Sequence, residues 1–288
     1  MKIFKENGSL LFDTEKITYG LLKSGYMSLV TTWPRLSYKS ANLPPNEGSS
    51  YDESSTPGGM DLIHGFSVTG AIAPIVFING PGISCGSSRS GNTTTFYYIA
   101  ASTDTKYYYF DTMRGTLSGA GLKCYGEDGT LTFNSLQVPL DVDYSYTCPL
   151  PPAKNPLGYY DRVFAGGTLA AKRFASNTNY PAYMTCTLFV PIASGEFAVS
   201  TSFSRSFGQW PFDNFSPSGS FPARSNQQAH MDGCYGGSGG IYWLSCDAAR
   251  TTMYWGAVSA YQSYFDIPTD KLPQALVIRT NNLPFPFN

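Results

Sequence analysis

The feature that most constrains this chain is a segment that occurs twice. Residues 4–14 read FKENGSLLFDT and residues 125–135 read YGEDGTLTFNS. At this fixed offset only Lys5/Gly126 and Leu11/Thr132 differ in type, leaving nine of the eleven positions matched. Internal repetition of this kind marks a reused structural unit. Asn7-Gly8 and Asp128-Gly129 are hairpin dipeptides, because Asn, Asp and above all Gly tolerate positive φ. Beyond each turn, Leu10 and Phe12, like Leu131 and Phe133, recur at the period of a strand and share one face. Each copy therefore predicts a β-hairpin with one apolar face, and a lone hairpin must pack on further strands to persist. Residues 235–245 (YGGSGGIYWLS) suggest a degenerate third copy, and Cys234-Tyr235-Gly236 parallels Cys124-Tyr125-Gly126.

The remaining pattern is also that of strands. The best short helix candidate is Thr14–Lys23. Apolar or aromatic runs at Ala71–Ile78, Thr94–Ala101, Lys106–Phe110, Met184–Pro191, Glu196–Phe203, Ile241–Leu244 and Thr252–Val258 predict strands. The second and third of these read as neighbours joined by Ser102–Thr105. Asn42–Gly59, Cys148–Pro156 and Gly208–Gln228 are rich in Pro, Gly and Ser and read as loops. The prolines of the second stretch place a joint between a region 1–147, holding the duplicated hairpin, and a β-rich region 148–288. The expected fold class is all-β: β-sandwich-like domains with repeated Gly-turn hairpins and long Pro/Gly/Ser-rich loops.

Composition narrows the function. Charged residues make up 14% against 42% hydrophobic, and 21 Tyr and 19 Phe bring aromatics to 15%. A weakly charged, aromatic-rich chain suits sheets and broad assembly surfaces. Net charge is −1 with no basic stripe, so nucleic-acid binding has no electrostatic basis. MKIFKENGSLLF lacks the apolar core of a secretory signal, and no run of apolar residues is long enough to span a membrane. Cys85, Cys124, Cys148, Cys186, Cys234 and Cys246 lie far apart without a CxxC pair, so reduced thiols are expected rather than disulfides or a zinc site.

The two hairpin segments, MKIFKENGSLLFDT and GLKCYGEDGTLTFNS, resemble a hairpin of minor tail proteins of tailed bacteriophages. Gly121, Leu122, Tyr125, Gly129, Leu131, Phe133 and Ser135 carry the likeness in the second copy, and Cys124 stands where an aliphatic residue is usual. The resemblance covers residues 1–140. It implies a virion protein at the distal tail (tail tip, baseplate or central fibre), partnered by other tail proteins. It also implies a homo-oligomer, a trimer or a multiple of three. It carries no catalytic, cofactor or metal residues, and none is assigned. A receptor-binding fibre or spike protein, recognising a host glycan or outer-membrane protein, is the alternative.

The enzyme-like signals are thin. Gly236-Gly237-Ser238-Gly239-Gly240 matches G-x-S-x-G and resembles the GDSGG segment of chymotrypsin-type proteases, with His64 and Asp104 or Asp111 to complete a triad. But Gly237 replaces the Asp of that pattern, and no His follows residue 230, as a hydrolase elbow would require. The Gly-rich run reads better as the turn of the third hairpin. His64 and His230 read as structural. Asp111, Asp141 and Asp143 are candidates for paired carboxylates only because separation in space is invisible in a sequence. Tyr97-Tyr98 and Tyr107–Tyr109 read as sheet alternation, one ring packed and the next exposed. Trp210-Pro211-Phe212 is the better candidate for an exposed contact, and Trp33-Pro34 reads as the end of a strand.

Overall fold

The computed structural model describes residues 2–4, 6–8, 10–13, 16–34, 36–38, 51–52, 60–115, 119–172, 183–210, 224–248, 252–257 and 263–288. The fold is all-β, and no helix occurs among the described residues. Two antiparallel sheets form its centre. One runs in the order Ser28–Pro34, Met60–Thr69, Thr93–Ile99, Ile83–Ser90. The larger one contains Tyr144–Thr147, Gln274–Arg279, Tyr183–Thr201, Ile75–Asn79, Lys106–Thr112 and Tyr19–Tyr26, side by side.

Alternation explains how they pack. Phe66, Val68 and Tyr98 of the first sheet meet Ile78, Tyr107 and Tyr109 of the second in one apolar cluster. Phe66 lies flat on Tyr107, ring centroids 3.7 Å apart. Tyr108 and Phe110 point the opposite way and join Leu21, Phe77 and Ile278. Leu283, Phe285 and Phe287, near the C-terminus, cover that second face. Lys106–Thr112 is thus covered on both faces, which corrects the expectation that alternate tyrosines are exposed: Tyr107, Tyr108 and Tyr109 are all buried. A run of three tyrosines is ambiguous because the ring is apolar enough for a core on either side of a sheet.

Long-range packing also overrides local signals elsewhere. The helix expected over Thr14–Lys23 is replaced by the strand Tyr19–Tyr26, which pairs with Lys106–Thr112. Its Leu21 and Leu22 enter clusters on opposite faces, an arrangement only a strand allows. Thr93–Ile99 and Lys106–Thr112 are consecutive but do not pair. The chain turns at Ala100 (φ 57°) and crosses between sheets. Met184–Pro191 and Glu196–Phe203, expected as two strands, belong to the single strand Tyr183–Thr201. The two regions expected on either side of residue 148 share one sheet: Tyr144 pairs with Val277, and Ile78 with Val199.

The two repeat segments are hairpins of identical register. Lys2 faces Asp13, Ile3 faces Phe12, and after a bulge Phe4 faces Leu10. In the second copy Lys123 faces Asn134, Cys124 faces Phe133, and after the same bulge Tyr125 faces Leu131. Gly8 and Gly129 both have φ near +80°. The turn proper is closed by Gly129 N–H donating to Gly126 O, so Glu127 and Asp128 occupy its centre and Gly129 forms the bulge. Asp128 works through its carboxylate, which accepts from Thr130 N–H and Thr130 Oγ1–H at 2.9 and 2.8 Å. Thr132 and Asn134 are buried along with Phe133, so both sides of that strand are covered.

The third copy is not a hairpin. Residues 235–245 lie inside one strand, Arg224–Asp247, which pairs with Tyr183–Thr201. The ladder runs from Cys186↔Ser245 to Pro191↔Gly240, then jumps to Glu196↔Ser238. The glycines allow close backbone approach at this bulge. A Cβ on Gly236 would lie 2.0 Å from Phe197 O, and one on Gly240 2.2 Å from Val190 O. Trp243 of this strand joins Phe164, Tyr264, Phe207 and Phe197 in the largest core cluster.

Candidate functional site

Ile83–Ser90 (ISCGSSRS) borders the four-stranded sheet and pairs there with Thr93–Ile99. Six of its eight side chains are Ser, Cys or Arg, too small or too polar to build a core, and Ser87–Ser90 are exposed. Against it lies Ser202–Ser206, which connects the long strand Tyr183–Thr201 to Ser206–Trp210. Two hollows open between them and share Ser204.

The first, of about 530 Å³, lies between the two sheets and is lined in part by Ser84, Tyr98, Thr201 and Ser202. Thr201 and Ser202 spend their hydroxyls on structural partners. Thr201 Oγ1 donates to Cys234 O at 3.2 Å and accepts from Cys234 N–H at 3.1 Å, and Ser202 Oγ accepts from Gln274 N–H at 2.8 Å. The second, of about 650 Å³, is an open cleft within the usual size range of ligand sites. Trp33 and Tyr97 form its aromatic wall, with ring centroids 5.5 Å apart and planes at 48°. Ser87, Ser88 and Ser206 line it too, and Tyr97 Oη lies 2.7 Å from Ser88 Oγ. Burial pushes the Cys85 thiol at its side up to about 12, so it offers no thiolate nucleophile.

Arg205 is the charged residue lining the cleft, but its charge is turned inward. Its Nε donates to Asp232 Oδ2 at 2.8 Å and its Nη1 to Pro268 O at 3.0 Å. Nη2 lies 2.7 Å from Asp232 Oδ2 and 3.1 Å from Cys148 Sγ. Both side chains of the pair are buried. Burial is the main influence on the Asp232 carboxyl and raises it, opposed by Arg205. Burial likewise raises Cys148 to about 12. Among the described residues the cleft therefore presents aromatic side chains and hydroxyls, with its one cation already paired.

The residues of the enzyme-like reading are not assembled. Ser238 is exposed in the bulge opposite Glu196. His64 lies in the four-stranded sheet, opposite Leu29 and Tyr98. Asp111 is buried and already accepts from Ile72 N–H, Ala73 N–H, Thr112 N–H and Tyr109 Oη, all within 2.9 Å. Burial opposes its ionisation, but these four bonds together outweigh it and hold the carboxyl below its ordinary value. Asp104 is exposed in a turn. Asp143 accepts from Arg279 N–H at 2.9 Å. His230 and Asp247 face each other at 2.8 Å with their side chains sealed from solvent, a structural pair without substrate access.

The six cysteines form no disulfide, and four of them are buried. No cluster with metal-ligating composition occurs among the described residues. Nor does any helix there have the length and apolarity to cross a membrane. Trp210 is in a strand and pairs with Ser263, while Pro211 and Phe212 lie outside the described residues. Sequence reasoning passed over Trp33 as a strand end and Tyr97 as one of an alternating pair of rings. The signal available was the serine-rich strand Ile83–Ser90, which precedes and pairs with the strand of Tyr97 and whose composition makes no sense as core. Comparison of the chain with protein-family models, curated proteins and solved structures gave no match.

Proposed function

We propose that this chain is a non-enzymatic structural component of a bacteriophage tail, carried in the virion at the distal tail as a homo-oligomer of three or a multiple of three. The observation that carries the proposal is the hairpin pair. Two segments that resemble the tail-protein hairpin share their register, their bulge and their positive-φ glycine. Each also presents an aromatic ring to solvent at the same position, Phe4 at 55% and Tyr125 at 57% exposure. Exposed aromatics on matched elements supply contact area for assembly partners. Immunogold labelling of intact particles tests this. Label at the distal tail is the expected result, and label on the capsid or none on particles overturns it.

The open cleft at Trp33 and Tyr97 favours a second reading, a tail protein that also recognises the host surface. Purified protein would then adsorb to host cells and compete with infecting particles. Protein that binds tail components but not cells returns the function to assembly alone.

A further inference from the structure

We infer that the cleft between Ile83–Ser90 and Ser204–Ser206 is a binding site for a neutral saccharide, with Trp33 as its stacking platform. The inference rests on the second reading above and adds the ligand chemistry.

Three observations converge. The wall is aromatic: Trp33 and Tyr97 are only partly buried and stand at 48° to each other, inclined rather than stacked. Rings so placed suit a ligand that is apolar on its flat faces and polar at its edge. The rim is hydroxylic: Ser87, Ser88 and Ser206 are exposed, and the Tyr97–Ser88 hydrogen bond fixes both groups at the cleft surface. Hydroxyls both donate and accept, as the hydroxyls of a sugar do. Among the described residues lining the cleft the one cation is the Arg205 guanidinium, and it is spent on Asp232, Pro268 O and Cys148 rather than offered to a carboxylate or phosphate. A pyranose offers C–H faces for the rings and equatorial hydroxyls for the serines. An acidic sugar would find no free counter-charge among the described lining residues.

The test uses the full chain. Saturation-transfer difference NMR is recorded with methyl glucoside, methyl galactoside, methyl mannoside and N-acetylglucosamine, with N-acetylneuraminic acid as the acidic comparison. At least one neutral sugar is expected to receive saturation, and Trp33→Ala is expected to weaken it about tenfold, the scale of one lost stacking contact. Ser88→Leu gives a second variant: it fills the cleft from an exposed position and is expected to abolish the signal with the melting temperature unchanged. The inference is overturned if no neutral sugar binds, if the acidic sugar binds better, or if both variants bind like the parent. Adsorption to host cells is measured in parallel. Adsorption that persists in both variants and is not reduced by neutral sugars removes the saccharide site while leaving host recognition intact. Sugar binding without adsorption does the reverse.

Discussion

Replacing Asp232 by Asn should be among the most damaging isosteric changes in this protein. The carboxylate accepts from Arg205 N–H and Arg205 Nε–H at 2.8 Å each and faces Arg205 Nη2 at 2.7 Å, with both side chains excluded from water. An amide keeps the shape but removes the negative charge, and turns an NH₂ group toward the guanidinium or toward the Arg205 backbone N–H. The guanidinium is then buried without compensation. Breaking a buried pair on one side costs about 3–5 kcal/mol. For a chain of this size that corresponds to a fall in melting temperature of roughly 6–20 °C. Arg205→Met should cost a similar amount, because it strands the carboxylate. The double variant Arg205→Met/Asp232→Leu removes both charges and should lose much less than the sum of the singles, since an apolar pair of similar volume is often neutral. Urea unfolding of the four proteins gives the coupling energy directly. Losses that simply add would show that the two side chains do not stabilise each other, and the description of the inward-turned charge would be wrong.

Three further outcomes follow from the geometry. Asp111→Asn should flatten the acid limb of the stability curve. Its carboxyl is depressed in the folded state, so its contribution is present above the unfolded value of about 3.9 and is lost as pH falls through the lower folded value; urea midpoints from pH 2 to pH 7 would read this, and an unchanged slope would refute it. Gly129→Ala meets nothing within 4 Å and should cost only the left-handed backbone, about 1–2 kcal/mol, whereas Gly236→Ala drives a Cβ into Phe197 O and should cost clearly more in the same urea assay. Phe66→Ala removes the ring stacked on Tyr107 and should cost about 3–5 kcal/mol; a loss below 1 kcal/mol would mean that this contact does not hold the sheets together.

Strand content was legible because strands advertise themselves locally. Ile75–Asn79, Thr93–Ile99 and Lys106–Thr112 are built from β-branched and aromatic residues and fall on the expected runs. Which strands pair was not legible, because pairing is decided by partners far away in sequence. Nothing in Thr14–Lys23 announces that Lys106–Thr112 will take it up as a strand. The Gly236–Gly240 run illustrates the same limit. Five residues dense in glycine read as a turn, yet here glycine is required because two backbones approach too closely for a Cβ. The cleft was least legible. Trp33, Ser88 and Arg205 come from three separate parts of the chain, and none carries a local motif.

The cover that Leu283, Phe285 and Phe287 provide for the larger sheet has a consequence for biosynthesis. Ser24 N–H donates to Phe287 O at 2.7 Å, and Ser24 Oγ–H donates to Pro284 O at 2.7 Å. This part of the packing of Tyr19–Tyr26 comes from residues that are made later, Pro284 lying 260 residues beyond Ser24. Until then Leu21, Phe77, Tyr108 and Phe110 lack that cover, on a chain rich in strands able to pair wrongly. A nascent chain that has made the strand but not its cover therefore exposes apolar surface, and the yield of native protein should depend on chaperone capacity and temperature during synthesis as well as on the stability of the finished fold.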